Sequence, residues 1–272
     1  MNQFKPGAIT KPLDLRDIKL GAVQPPDPAI PITYETDVSW LKPIYQNGWP
    51  ACGAHAGSHL KAILDHENEP DKKSYHYSPK FLWKEIKAID GYEPEVGTDM
   101  RSIFKVLYNT GICDYDLKPN IYTDDLDQYT LYDNLIKEKE NAHPKVIKSY
   151  AFGKNNFNSI TEAIYKNKAV LLLLDIGNTW WGKTFVYQFT RKDGGHFVVA
   201  YGYDENYIYI VDSADRFVPF KRIFYNYVIR EVGTAIDLPN EYVENLIRQK
   251  EFLQKLVALY QKLISLTKGL NK

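Results

Sequence analysis

Apolar positions change their spacing along the chain, and the change divides it. Over residues 51–65, Ala, Leu and Ile recur at helical intervals, which predicts a helix with Cys52 in its first turn. A second helix is predicted over 78–89, where Ser78 caps, Pro79 takes the first helical position and Phe81, Leu82 and Ile86 form the apolar side. A third is predicted near 99–109, ended by the Thr110-Gly111 pair. The period then shortens: residues 169–176, 195–203 and 207–212 are rich in Val, Ile and Tyr, as strands are, with Asp204-Glu205-Asn206 as the turn between the last two. Helices followed by strands predict an α+β fold with a cleft between the two halves.

Both ends read differently. Residues 1–36 hold six prolines (Pro6, Pro12, Pro25, Pro26, Pro28 and Pro31), which predicts an extended arm lying on the surface. Beyond Pro239, Leu246, Leu253, Leu256, Tyr260, Leu263 and Leu270 keep a heptad-like spacing. That spacing predicts an amphipathic helix of about 28 residues, roughly 40 Å long, for docking or self-association. The division is therefore an arm (1–36), a body (37–238) and a terminal helix (239–272).

Composition narrows the function classes. The 34 basic and 34 acidic residues give a formal charge of zero, without the basic excess of a nucleic-acid partner. Two cysteines, Cys52 and Cys113, are too few for a disulfide framework and suggest a reducing compartment: the cytoplasm, or a packaged virion. The first twenty residues are polar and broken by Pro6 and Pro12, so no signal peptide is expected, and the longest apolar run, 169–174, is too short to cross a bilayer. Cys52, His55, His59 and His66 share a helix face but lack an acidic ligand or second thiol, so neither metal nor cofactor is expected. Cys113 reads as a small core side chain.

Chemistry concentrates in two stretches. In Gln46-Asn47-Gly48-Trp49-Pro50-Ala51-Cys52-Gly53, a thiol opens a helix, where unpaired N–H groups and the dipole favour the thiolate. Gln46, six residues earlier, is a candidate to join the Cys52 backbone N–H as donor to an oxyanion. In Gly194-Gly195-His196-Phe197-Val198-Val199, a histidine opens a strand after two glycines that permit close approach of another chain. His196 follows Cys52 by 144 residues, a separation typical of one class of thiol hydrolase. Asp212, at the end of the next strand, is the candidate to orient the imidazole.

Gln-x5-Cys, Ser-Pro-x-Phe-Leu, Gly-Thr-Asp-Met-Arg-Ser-Ile and Gly-His-Phe-Val-Val-Ala-Tyr-Gly-Tyr, in that order, resemble the papain-like cysteine peptidases, in a bacterial or phage-type branch. The resemblance implies a two-lobed fold, one lobe helical and one β-barrel-like, and a soluble thiol protease. It implies Cys52 as nucleophile, His196 as base, Asp212 as orienting residue and Gln46 as oxyanion donor. Gly97 and Thr98 match the wall on which the family lays an extended peptide, with Gly195 and Trp181 as further cleft residues. The Cys-Gly-Ala and Gly-His-Phe-Val-Val-Ala-Tyr-Gly-Tyr-Asp stretches also resemble the peptidase domains of bacteriocin-exporting transporters, which use aspartate as the orienting group.

Three departures stand out: aspartate in place of the usual asparagine at 212, Gly53 in place of the aromatic residue after the cysteine, and Ala214 in place of the tryptophan that shields the histidine. Trp180 and Trp181 are candidates to supply that cover. A long inhibitory propeptide does not fit before residue 37. The substrate expected is a peptide or protein; the rival readings are a peptidoglycan amidohydrolase on the same fold and a catalytically idle module used in assembly.

Overall fold

The computed structural model describes residues 7–11, 30–70, 75–93, 95–117, 136–237 and 252; the predicted helix over 239–272 lies outside them but for Phe252. Three helices build one lobe, and their starts follow local chemistry. In α1 (Cys52–Asn68) no side chain caps the first turn, so its N–H groups are left to the loop in front of it. In α2 (Pro79–Lys87) Ser78 Oγ accepts from the Phe81 N–H at 3.1 Å. Ahead of α3 (Met100–Asn109), Asp99 accepts from the Ser102 N–H at 3.0 Å.

The other lobe is an eight-stranded sheet. Beyond the two-residue strands β1 (Ala8–Ile9), β2 (Tyr34–Glu35) and β3 (Thr98–Asp99) come helix α4 (Ile136–Ala142), β4 (Ser149–Gly153) and helix α5 (Phe157–Asn167). Then follow β5 (Val170–Gly177), β6 (Phe185–Val186), β7 (Lys192–Tyr203), β8 (Tyr207–Val211), β9 (Phe220–Phe224) and β10 (Ile229–Ile236). The strand order is β4-β10-β5-β7-β8-β9-β6, with β2 added to β7, and every pairing is antiparallel except β6 with β9.

Helices cover both faces of the sheet, which is why β5 is buried along its whole length. Leu171 and Leu173 join the core shared with α1, α2 and α3, whereas Val170, Leu172 and Leu174 meet Ile160, Ala163 and Ile164 of α5. The expected barrel is corrected by this arrangement: among the described residues the sheet is open, ending at β4 and β6. With a helical layer on each face, it needs no closure on itself to bury its side chains.

Residues 7–11 run extended against the body, with Gly7 buried, Ala8, Ile9 and Lys11 half-buried and Thr10 exposed. β1 pairs in parallel with β3, Ala8 opposite Thr98 and Ile9 opposite Asp99. Among the described residues, no helix is long and apolar enough to cross a membrane.

Candidate active site

Two elements bring the predicted pair together. α1 carries Cys52 as its first residue, and β7 carries His196 directly opposite Leu174 of β5. Both side chains are 0% exposed, and the Cys52 side chain stands close enough to His196 to influence its charge. The other side of the ring faces Asp212, just past the end of β8: His196 Nε2 donates to Asp212 Oδ1 at 2.7 Å. Burial by itself pushes the imidazole down; Asp212 and the Cys52 side chain overcome it and carry it up to about 9.

Asp212 is held by more than the histidine. Trp180 Nε1 donates to Oδ2 at 2.7 Å, the Ala214 N–H donates to Oδ1 at 2.8 Å, and Lys221 Nζ stands 3.9 Å from Oδ2. Lys221 is itself buried and bonded to Asp215 at 2.7 Å and to the carbonyls of Trp180 and Lys183. A buried cation thus accompanies the buried carboxylate, which offsets part of its desolvation.

Gln46 is anchored across the cleft. Its backbone N–H bonds the Ser213 carbonyl at 2.9 Å, and Ser213 Oγ donates to its Oε1 at 2.7 Å. That bond fixes the amide orientation, so Nε2 turns toward the loop before Cys52 and donates to the Trp49 carbonyl at 2.6 Å. The loop is fastened from below as well. His55 Nδ1 donates to the Ile44 carbonyl at 3.0 Å, and His59 Nε2 accepts from the Ile44 N–H at 3.1 Å. Burial first, and then neighbouring histidines, depress these imidazoles to about 3 and about 4, so both are neutral. The histidine pair on α1 therefore holds backbone.

Gly97, Thr98 and Gly195 all lie against the segment at Gly7 and Ala8. A Cβ on Gly97 would overlap the Gly7 carbonyl, and one on Gly195 would come within 2.8 Å of the Ala8 carbonyl oxygen. Close approach by an extended chain needs glycine at both. Trp181 is 36% exposed and turns outward beside Trp180. Cys113 lies outside this constellation, buried, its thiol pushed up to about 12 by burial and by Asp114 and Glu138.

Among solved structures, xylellain, a cysteine protease from Xylella fastidiosa, superposes with a TM-score of 0.73 at 16% identity, over 87% of this chain and 97% of its own. This is the papain-like cysteine-peptidase fold. Two further papain-like structures match. Procathepsin B S9 from Trypanosoma congolense has a TM-score of 0.62 at 11% identity, covering 77% of this chain and 78% of that one. Digestive procathepsin L 3 of Tenebrio molitor has 0.56 at 15%, covering 86% and 76%. The Peptidase_C39 like family matches residues 108–231, a stretch that includes His196 and Asp212 but begins after Cys52. No curated protein matches the sequence.

Against the papain-like pattern, the departures acquire physical reasons. A Cβ on Gly53 would lie 2.6 Å from Thr98 Cγ2 and 2.8 Å from Ile103 Cδ1, so α1 packs too close to β3 and α3 for an aromatic residue there. The tryptophan missing at 214 is replaced from elsewhere in the chain. Trp180, in the loop after β5, sets its ring edge-on to His196, centroids 5.8 Å apart at 81°, while donating to Asp212. Ser213, Lys221 and the backbone role of His55 and His59 escaped the sequence reading. The spacing of the two histidines was visible, but the strand of loop they hold was not.

Proposed function

We propose that this chain is a cysteine-type peptidase that hydrolyses peptide bonds through Cys52, His196 and Asp212, with Gln46 as an oxyanion donor. One observation carries the reading: a buried imidazole bonded to a buried carboxylate and raised by the neighbouring thiol at an uncapped helix start. The likeness of residues 108–231 to the Peptidase_C39 like family, a stretch that holds His196 and Asp212, supports the reading.

In the reaction, the Cys52 sulfur attacks the scissile carbonyl carbon. The carbonyl oxygen gathers negative charge and is met by the Cys52 N–H and Gln46 Nε2. His196, protonated and held by Asp212, gives its proton to the leaving amine as the C–N bond breaks, leaving a thioester. The now neutral imidazole takes a proton from water, whose oxygen attacks the thioester and frees the acid. An extended substrate would lie along Gly97 and Thr98, with Gly195 and Trp181 on its other flank.

The test is covalent capture. Extended incubation with a thiol-directed epoxide should add one probe mass to the peptide bearing Cys52, and Cys52→Ala should abolish both the adduct and peptide hydrolysis while circular dichroism stays unchanged. Hydrolysis that survives in Cys52→Ala overturns the assignment.

A further inference from the structure

Side chains alternate along a strand, and the inward positions of β9 should be apolar. Ile223 obeys and Lys221 does not: both face inward, Lys221 opposite Ile210 of β8, and the Lys221 side chain is 0% exposed. A buried ammonium is costly, and exchanging a buried ion pair for apolar groups of similar size often leaves stability unchanged or improved. A role beyond stability is indicated by where the charge sits. Lys221 Nζ donates to Asp215 Oδ2 at 2.7 Å and to the carbonyls of Trp180 at 3.2 Å and Lys183 at 3.1 Å, and it lies 5.6 Å from the Trp180 ring centroid. Asp215 is fixed in turn by the N–H groups of Gly182, Phe217 and Val218. So held, the ammonium stands 3.9 Å from Asp212 Oδ2, beyond hydrogen-bond reach but close enough to bring its charge to the carboxylate that bonds His196.

We propose that Lys221 is a positioning residue for the hydrolysis: a fixed cation behind Asp212 that limits the carboxylate's hold on the imidazolium, so that His196 can pass its proton to the leaving amine. The inference rests on the peptidase reading and names the group that tunes its proton donor. Asp212 brings a full negative charge to the ring, and with the Cys52 side chain it carries the imidazole up to about 9 against burial. Held much higher, the ring would yield its proton slowly to the leaving amine. The other titratable groups around it are quiet. His55 and His59 of α1 are neutral, burial keeps the Tyr227 phenol protonated, and Asp175 of β5 is paired with Lys192 and Arg230. Cys52 changes charge together with His196. Among the described residues, Lys221 and Asp215 are then the fixed charges behind Asp212, and they act on the ring with opposite signs.

Charge-changing variants of the full chain test this, because their signs oppose. Lys221→Met deletes a cation and makes the imidazolium proton harder to lose; Asp215→Asn deletes an anion and makes it easier. With the histidine rings isotopically labelled, NMR reads the titration of His196 directly, its signal among the six histidines assigned by its loss in His196→Gln. The midpoint should rise by about one unit in Lys221→Met, fall in Asp215→Asn, and stay near that of the unaltered chain in Lys221→Arg, which keeps the charge. The double variant Asp215→Asn with Lys221→Met orphans no charge, stands in for Lys221→Met if that variant does not fold, and should titrate above Asp215→Asn. The alkaline limb of kcat/KM for peptide hydrolysis should move in the same order. If Lys221 only seats Trp180, kcat changes while midpoint and limb stay, or both move the same way whichever charge is removed. Either result overturns the proposal and leaves the peptidase reading standing, as does a midpoint that moves without the limb. An unaltered chain whose His196 titrates but which hydrolyses no peptide overturns both.

Discussion

His196 is subject to opposed forces, and its titration should reveal them. Burial lowers it, while the Asp212 charge and the Cys52 side chain raise it to about 9. Hydrolysis is expected to fall as pH rises through about 9, where the imidazolium that protonates the leaving amine is lost. Asp212→Asn removes the charge and leaves the burial, so the alkaline limb of kcat/KM should move to lower pH; a limb that stays put would belong to another group. His55 and His59 carry the opposite sign. Their imidazoles are depressed from 6.5 to about 3 and about 4, so the unfolded chain takes up protons first as pH falls. The stability they provide is whole above about 6.5 and is lost as pH drops toward 4 and then 3. His59→Ala should flatten that acid slope in a plot of Tm against pH, and cost about 1–3 kcal/mol at neutral pH by orphaning the Ile44 N–H.

Elements were legible where the chemistry that makes them is local. Ser78 with Pro79, and Asp99 before an apolar period, mark helix starts within the residues that form them, and α2 and α3 begin where those signals stand. β7 and β8 announced themselves through their run of Val, Ile and Tyr and the Asp204 turn, whose carboxylate accepts from the N–H groups of Asn206 and Tyr207. Cys52, His196 and Asp212 could be picked out because order and spacing survive in a linear chain. Trp180 and Lys221 could not be assigned to Asp212, because only the registry of β5, β7, β8 and β9 brings them to it. Nor does anything in residues 7–11 reveal the strand they pair with. The same non-local character marks Lys61 of α1, fully buried between Asp65 at 2.5 Å and Asp237 at 2.8 Å, which ties the helix to the residue after β10. Lys61→Ala should cost about 3–5 kcal/mol in urea unfolding, because two buried carboxylates lose their shared cation.

At the scale of the whole molecule, the lobes meet where Gln46 of one is bonded twice to Ser213 of the other. Gln46→Ala is expected to lower kcat by about 10²–10³. Ser213→Ala, which leaves the amide in place but unsteered, should lower kcat by less. Epoxide alkylation, which forms no oxyanion at a carbonyl, should change in both variants by no more than about threefold; an equal loss in alkylation would mean that Gln46 serves Cys52 and not the oxyanion. Ser213 directly follows Asp212, so the imidazole and the glutamine are aligned from two consecutive residues. Any shear of one lobe against the other parts Gln46 from Ser213 and Cys52 from His196 at once, since Gln46 and Cys52 stand on one side of the cleft and Ser213 and His196 on the other. Turnover in mild urea should accordingly vanish abruptly, like a circuit with both contacts on one arm, instead of fading while one of them still holds.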